Sequence, residues 1–349
     1  MPEARTIPWW HPAEFARRQP FLAARGRILA ATRQFFAQQG YSEVETPALQ
    51  VSPGMEPHLK AFATVLEGPD GAARTLHLHT SPEFAMKKLL VAGAGPIWQL
   101  ARVWRNGERA DTHHPEFAML EWYRPGAAYT DLIEETRALL ACAAAAGTGR
   151  LRFRGRQADP SRIEVITVVE AFARLAGIHL DPILSADGDA DRAAMAQAVD
   201  RIGVRRAEQD TFEDLFFRVF LERIEPRLGS PHPTVVKDYP ISMAALARPK
   251  ADDPRFAERF EVYACGLELA NAFGELTDAK VQRARFEADQ AAKRRHYGFA
   301  YPIDEDFVAA LAHGMPASAG IALGFDRMVM LAAGADRIED VLWAPVASP

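Results

Sequence analysis

Apolar side chains recur at Leu22, Ile28, Leu29, Phe35 and Phe36, near helical spacing. The pattern predicts an amphipathic helix over Phe21–Gln39, with Gly40 just past its end. The period then shortens. "YSEVETP" reads as a strand stopped by Pro47, and "TLHLHT" (Thr75–Thr80) alternates as a half-buried strand does. "PIWQLARVW" and "EFAMLEWYR" read as strands joined by the polar loop Arg105–Pro115, and "RFEVYACGLELANAF" as a hairpin turning near Ala264–Gly266. From about Arg150 to Ser230 the pattern is helical and alanine-rich. "TVVEAFARLAG" opens with a capping box, Thr167 with Glu170, and stops at Gly177. "DTFEDLFFRVFLERI" sets Phe212, Leu215, Phe216, Val219 and Phe220 on one face. The reading is an α+β chain: one domain over residues 1–349, strand-rich, with a helical insertion over about 150–230.

Composition narrows the function classes. The chain has 349 residues, 48% hydrophobic and 25% charged, as in a soluble globular protein. A net charge of −5 gives no electrostatic footprint for bulk nucleic-acid binding. Two cysteines, Cys142 and Cys265, make neither a disulfide scaffold nor a Cys-x-x-Cys site. The N-terminus lacks the charged-then-apolar plan of a signal peptide. The longest apolar run, near Ala138–Ala146, is too short to span a bilayer. The expectation is a cytoplasmic protein.

Several stretches carry chemistry. If the hairpin turn is Ala264-Cys265, Tyr263 pairs with Gly266 and Glu261 falls opposite Glu268. Like charges so placed repel. A magnesium ion carried in with a nucleotide's phosphates would relieve them; glutamates facing water, or a one-residue shift, would account for them as well. Asn271, Phe273 and Glu275 share a face that suits an ammonium ion, or the polar side of an edge strand. On the other hairpin, Arg105 ends one strand, His113, His114 and Glu116 approach the next, and Phe117, Met119, Glu121 and Tyr123 share a face. Glutamate and tyrosine among apolar groups fit a pocket floor. Adjacent histidines in an extended segment point apart, and no third ligand suggests zinc. "TSPEFAMKKLL" reads as a helix start that favours Glu83 near its N-terminus. "GIALGFDRMVML" (Gly320–Leu331) runs from a Gly-x-Ala-x-Gly stretch into an apolar helix, with Asp326-Arg327 at the junction.

Together these stretches resemble the catalytic core of class II aminoacyl-tRNA synthetases, specifically the lysyl branch. The three class II motifs are similar to "RQFFAQQGYSEVETP", "WRNGERADTHHPEFAMLEWYRP" and "GIALGFDRMVML". "TSPEFAMKKLLVAG" and "RFEVYACGLELANAFGELTDA" resemble lysyl-branch signatures. The resemblance implies a mostly antiparallel sheet flanked by helices. Little chain precedes the first expected helix, too little for the N-terminal OB anticodon-binding domain of lysyl-tRNA synthetases. The chain is therefore similar to the stand-alone paralogues, the elongation factor P lysine ligases. That implies ATP with Mg2+, (R)-β-lysine or lysine as substrate, elongation factor P as acceptor, no tRNA anticodon recognition and no membrane role.

The resemblance also implies roles. Arg105 holds the substrate carboxylate and α-phosphate. Phe117 stacks on adenine, with Arg327 closing over it near the γ-phosphate, and His113 reaches the triphosphate. Asn106, Gly107, Glu108, His114, Glu268, Leu269 and Gly324 complete the ATP site, and Glu261 and Glu268 hold magnesium. Glu83, with Ser81, faces the substrate amino end. Glu275 and Tyr123 bind its side-chain ammonium, supported by Asn271 and Phe273. Gly320 and Gly324 let backbone lie close to the ligand, and Ala322 forms floor under the amino end. The sequence departs from the pattern at Gly107, where a glutamate is usual; Glu108 is the candidate replacement. His114, Ala272 and Gly274 also differ from the usual residues. Class II cores pair through the first motif, so a homodimer is expected, with Phe35, Phe36 and Tyr41 as candidate apolar surface. The alternatives are a tRNA-charging enzyme, a ligase for another amine, or a non-catalytic amino-acid-binding paralogue.

Overall fold

The computed structural model describes residues 7–185 and 188–347. The reading of the N-terminus as lacking a signal peptide falls partly on Met1–Thr6, outside the described residues.

A first helix, α1, covers Pro12–Gln38. It begins before the expected Phe21 and has Pro20 inside it. His11 caps it by accepting the Ala13 N–H at 3.3 Å, and a proline stands in its first turn. Tertiary contacts fasten the helix: the buried Arg18 donates to the Leu342 carbonyl, and Arg25 pairs with Asp326 at 2.5 Å. Phe35, Phe36 and Tyr41 are inside, with Phe36 stacked 4.8 Å from Trp98. They are core, so the expectation that they supply apolar surface for a partner is corrected.

Eight strands form the main sheet: β1 (Ser42–Glu43), β2 (Ile97–Trp104), β3 (Glu116–Pro125), β4 (Glu164–Thr167), β5 (Thr234–Pro240), β6 (Phe256–Ala264), β7 (Leu267–Gly274) and β8 (Ser318–Gly324). Their order is β1-β2-β3-β8-β7-β6-β5-β4, antiparallel except for the two edge pairs. "YSEVETP" thus contributes only two paired residues. Beyond it, a three-stranded sheet pairs Leu49–Gln50, Ala73–Leu78 and Ala63–Glu67 in that order.

Strand alternation gives the main sheet two faces with different uses. Leu120 and Trp122 of β3, Ala319, Ile321 and Leu323 of β8, and Phe260 and Val262 of β6 share one core cluster. Residues of α1, of α3 (Asp131–Ala146) and of α6 (Phe325–Ala333) complete it. The intervening side chains face the other way and build the site. On that side, α2 (Glu83–Val91), α4 (Ala279–Tyr297) and α5 (Glu305–Gly314) share a separate cluster with Tyr123 and Phe273.

The stretch 151–230 begins with strands, Leu151–Phe153 pairing Arg156–Ala158, and β4 within it joins the main sheet parallel to β5. Short helices follow. Thr167 and Glu170 form the capping box, Gly177 closes at φ 69°, and Phe212, Leu215, Phe216, Val219 and Phe220 are buried in a second core. The helical reading of the whole stretch is corrected at its start: β4 is too short to show alternation, and only pairing with β5 makes it a strand.

Candidate active site

The second hairpin departs from the expected register, for a backbone reason. Cys265 and Gly266 both take positive φ, 55° and 79°, the geometry of a two-residue hairpin turn. Tyr263 therefore opposes Glu268, and Glu261 opposes Asn271, so the expected Glu261–Glu268 pairing is corrected. A bulge between these pairs resets the alternation, and Glu261, Glu268, Asn271 and Phe273 still share the site face.

The site is a cavity of about 320 Å³ over strands β3, β8 and β7. Of the candidates, Ser81, Glu83, Arg105, Glu108, His113, His114, Phe117, Glu268, Leu269, Asn271, Phe273, Ala322, Gly324 and Arg327 line it. Asn106, Gly107, Tyr123, Glu261 and Glu275 do not. Asn106 and Gly107 form the turn after β2. Gly107 sits at φ 89°, a conformation that disfavours a glutamate there, and the next residue, Glu108, reaches the cavity wall.

One end of the cavity is cationic. Arg327 lies in the first turn of α6, and protein groups hold its guanidinium on three sides. Nε donates to the Thr112 carbonyl at 3.1 Å, Nη1 to the Glu268 carbonyl at 3.0 Å, and Nη2 meets His113 Nε2 at 2.6 Å. Burial, then the charges of Arg327 and Arg105, push His113 down to about 4, so its ring is neutral at pH 7 and Nε2 accepts. Arg105 lies over the Phe117 ring at 5.2 Å from its centroid and 4.0 Å from Glu108. His114 is turned inward: Nδ1 contacts the Glu116 carbonyl at 2.5 Å and Nε2 accepts the Val346 N–H at 3.1 Å. The neighbouring Asp326 is fully buried and accepts from Arg25 and from the Ala118 N–H.

Glu268 stands beside this end. Burial, and then the Glu261 charge, push its carboxyl up to about 7. Glu261 itself accepts from Arg259 and Tyr239, each at 2.6 Å, and from the Tyr263 hydroxyl.

The other end is acidic and closed. Ser81 Oγ accepts the Glu83 N–H at 3.1 Å and donates to Glu121 Oε1 at 2.5 Å. The Tyr123 hydroxyl donates to Glu121 Oε2 at 2.7 Å. Burial, then the Glu83 charge, push Glu121 up to about 8, so it is neutral at pH 7. Lys87, on the same face of α2 as Glu83, inserts its ammonium between Glu83 and Glu275, 2.5 Å from each. Burial opposes its charge, but the two carboxylates outweigh burial and hold Lys87 protonated. Gly320 is corrected as a ligand-facing glycine. A Cβ there would lie 2.3 Å from Glu275 Oε1 and from the Tyr123 ring, so its bareness admits those two side chains. Gly324 keeps its assigned openness, since a Cβ would meet little beyond Arg327 at 3.7 Å.

The sequence reading missed Lys87 and left Glu121 out of the site. Lys87 sits in "MKKLL", where paired lysines read as a solvated helix face. Glu121 already carried a signal, its place between Met119 and Tyr123 on the pocket face of β3. Among the described residues no group of three or more acidic, histidine or cysteine side chains is set to hold a metal by itself.

The model of the family described as tRNA synthetases class II (D, K and N) matches residues 13–348. The chain is 42% identical over 342 residues to "Elongation factor P--(R)-beta-lysine ligase" of Photorhabdus laumondii, covering 97% of this chain and 98% of that protein. The protein of the same name from Erwinia tasmaniensis is 40% identical over 348 residues, 97% of each chain. That from Pectobacterium carotovorum is 39% identical over 342 residues, 97% and 98%.

Proposed function

Because the chain belongs to the family of class II tRNA synthetases (D, K and N), we propose that it is an ATP-dependent ligase that activates (R)-β-lysine or lysine as an aminoacyl-adenylate and transfers it to a lysine side chain of elongation factor P. One observation carries the reading: a single cavity has guanidinium groups at one end and Glu83 at the other, with the buried carboxyls of Glu121 and Glu275 behind it. Guanidinium groups receive carboxylate and phosphate, and carboxylates receive ammonium. A lysine-like amino acid has both ends, and ATP brings the phosphates.

In the reaction, a substrate carboxylate oxygen attacks the α-phosphorus and pyrophosphate leaves. Arg105 and Arg327 meet the charge that grows on the phosphate oxygens. The acceptor amine then attacks the activated carbonyl carbon, loses its proton, and AMP leaves. The protein supplies positioning and fixed charge, and no nucleophilic side chain is required. Phe117 serves adenine, for which Arg105 would leave the ring. Arg327 enters the reaction already oriented by Thr112, Glu268 and the neutral His113.

The residues fit magnesium. Glu268 is a desolvated carboxylate beside a second one, an arrangement a cation relieves, and two carboxylates plus phosphate oxygens suit this ion. Glu268 would hold it, with Glu261 behind, once the latter gives up part of its tyrosine and arginine contacts. Magnesium would neutralise triphosphate charge. A cytoplasmic homodimer remains part of the reading. With Phe35, Phe36 and Tyr41 in the core, exposed apolar residues such as Leu49, Val51, Val65 and Leu66 are the surface available to it.

The test is pyrophosphate exchange with (R)-β-lysine and with lysine, followed by AMP release on adding elongation factor P. Exchange with either amino acid and labelling of the factor are expected. Efficient charging of tRNA-Lys with no labelling of the factor would overturn the acceptor, and no exchange would overturn the enzyme.

A further inference from the structure

The resemblance counts His114 among the ATP-site residues, and it does line the cavity. Yet both nitrogens of its buried ring are engaged within the protein. Nε2 accepts the Val346 N–H at 3.1 Å, so the ring proton sits on Nδ1, which donates to the Glu116 carbonyl at 2.5 Å. A neutral imidazole has one donor and one acceptor, and both are used. His114 therefore ties the end of the loop Arg105–Pro115 to a segment 232 positions further along the chain.

That segment, residues 337–347, meets the loop at other points as well. The Ile338 N–H donates to the Asp111 carbonyl at 2.7 Å, and Ile338 lines the cavity. Arg109 donates to the carbonyls of Val346 and Ala347, at 3.0 and 3.3 Å, and lies 3.8 Å from Glu339. Arg337 stands 3.8 Å from the Asp111 carboxylate. On its other side the segment is fastened to α1. Arg17 pairs with Asp340, Arg18 donates to the Leu342 carbonyl, and Arg25 donates to the Val341 carbonyl at 3.3 Å. Within the loop, a single β-bridge pairs Ala110 with His113. The loop supplies Glu108 to the cavity wall, and its Thr112 carbonyl and His113 ring orient Arg327. Its shape is thus bonded to α1 through the segment between them.

We propose that residues 337–347 form a strap that sets the shape of the ATP-binding loop, and that His114 and Arg109 are positioning residues that hold the loop and do not touch the nucleotide. The inference rests on the ATP-dependent reaction proposed above. A loop fixed before ATP arrives lowers the ordering cost of binding, so the strap acts on the affinity for ATP.

Pyrophosphate exchange, and calorimetric titration of ATP without amino acid, test it on three variants. Val346→Pro removes the N–H that reaches His114. His114→Phe keeps a ring and removes both of its bonds. Arg109→Ala removes the donor to the strap carbonyls. Each is expected to raise KM and Kd for ATP about 5- to 20-fold, the size of one or two hydrogen bonds, with kcat and KM for lysine within about twofold of wild type. Val346→Pro combined with His114→Phe should do no more than His114→Phe alone, because the two break the same bond. Arg109→Lys should recover part of the loss. Val346 and Arg109 are exposed, so their variants should melt near wild type. Unchanged ATP affinity in Val346→Pro and Arg109→Ala overturns the inference. So does a His114→Phe defect that Val346→Pro does not share, which would mark His114 as a contact of the nucleotide. An equal rise in KM for lysine with a lowered melting temperature also overturns it, as general loosening. If wild type binds ATP but exchanges no pyrophosphate, the ligase reading fails and the Kd values alone decide the strap, equal values overturning it. A wild type that binds no ATP overturns both.

Discussion

The two ends of the cavity solve opposite electrostatic problems by different means. At the cationic end, Arg327 is held by two backbone carbonyls and a neutral histidine, none of which cancels its charge. Its cation is oriented and remains available to an anion. At the acidic end, the buried Glu83 and Glu275 pair with one buried ammonium, and a third buried carboxyl, Glu121, accepts from Ser81 and Tyr123. There the charge is largely cancelled inside the protein, by Lys87 and by the protonation of Glu121. The contrast follows from burial. A part-exposed guanidinium can keep its charge in the free protein, whereas clustered carboxylates out of water must pair or take up protons.

The largest expected effect tests the first end. Arg105→Ala should lower pyrophosphate exchange by about 100- to 1000-fold, as removal of a donor to developing charge does. Thermal unfolding should stay near wild type, since among the described residues the Arg105 side chain makes a stacking contact with Phe117 and a distant one with Glu108. A rate loss under tenfold would break the comparison.

Lys87→Met tests the second end through stability. Removing one member of a buried ion cluster costs about 3–5 kcal/mol, because the remaining charges are stranded. Denaturant unfolding should show that loss at pH 8–9 and less of it at pH 5, where protonated carboxylates no longer need the ammonium. An equal loss at both pH values would mean that Lys87 acts by packing.

Glu121→Gln is a smaller and more specific probe. The Glu121 carboxyl is raised from its ordinary 4.5 to about 8, so the fold favours its protonated form. The sign follows: its contribution is greatest below pH 4.5 and is lost as pH rises toward 8. Glutamine imitates the protonated acid and removes the titration. The variant and wild type should melt alike near pH 4.5, and the variant should become the more stable on the way to pH 9, by up to a few kcal/mol. Parallel melting curves against pH would show that Glu121 ionises freely.

The finest adjustment concerns Ala322, which lines the cavity between Asn271 and Glu121 and packs against the cluster of Ala101, Val103 and Met119. Ala322→Gly should raise lysine activation relative to (R)-β-lysine several-fold, about 1 kcal/mol for one methyl group. The ratio of kcat/KM values measures it, and an unchanged ratio removes Ala322 from the selection.

Much of this was legible before any coordinates. The 3.6 and 2 periods placed α1's second half, β2, β3, β6 and β7, and the caps at Thr167 and Gly177, because those signals lie within one element. The first half of α1 lay outside the expected Phe21–Gln39: Pro20 stands inside the helix, and the Arg18 and Arg25 contacts that fasten it come from the far end of the chain. The hairpin shows the same limit. Its strands were evident, but a turn at Cys265-Gly266 and the bulge after Glu268 are backbone choices that leave the residue pattern almost unchanged.

By itself, the sequence determined the α+β class, the motifs that relate the chain to its family, and most of the residues that line the cavity. Alternation decides which side chains share a face, and motif order decides which faces meet. Only the tertiary structure decided which of the charged groups are free. Glu83 and Glu56 are both glutamates beside the same serine, and nothing local separates them. Lys87 pairs with Glu83 because α2 packs against the sheet, while Lys293 donates to the carbonyls of the Glu56 loop, and Glu56 Oε2 has no hydrogen-bond partner. Charge is a property of residues, but its compensation depends on distances of a few ångströms between parts of the chain far apart in sequence.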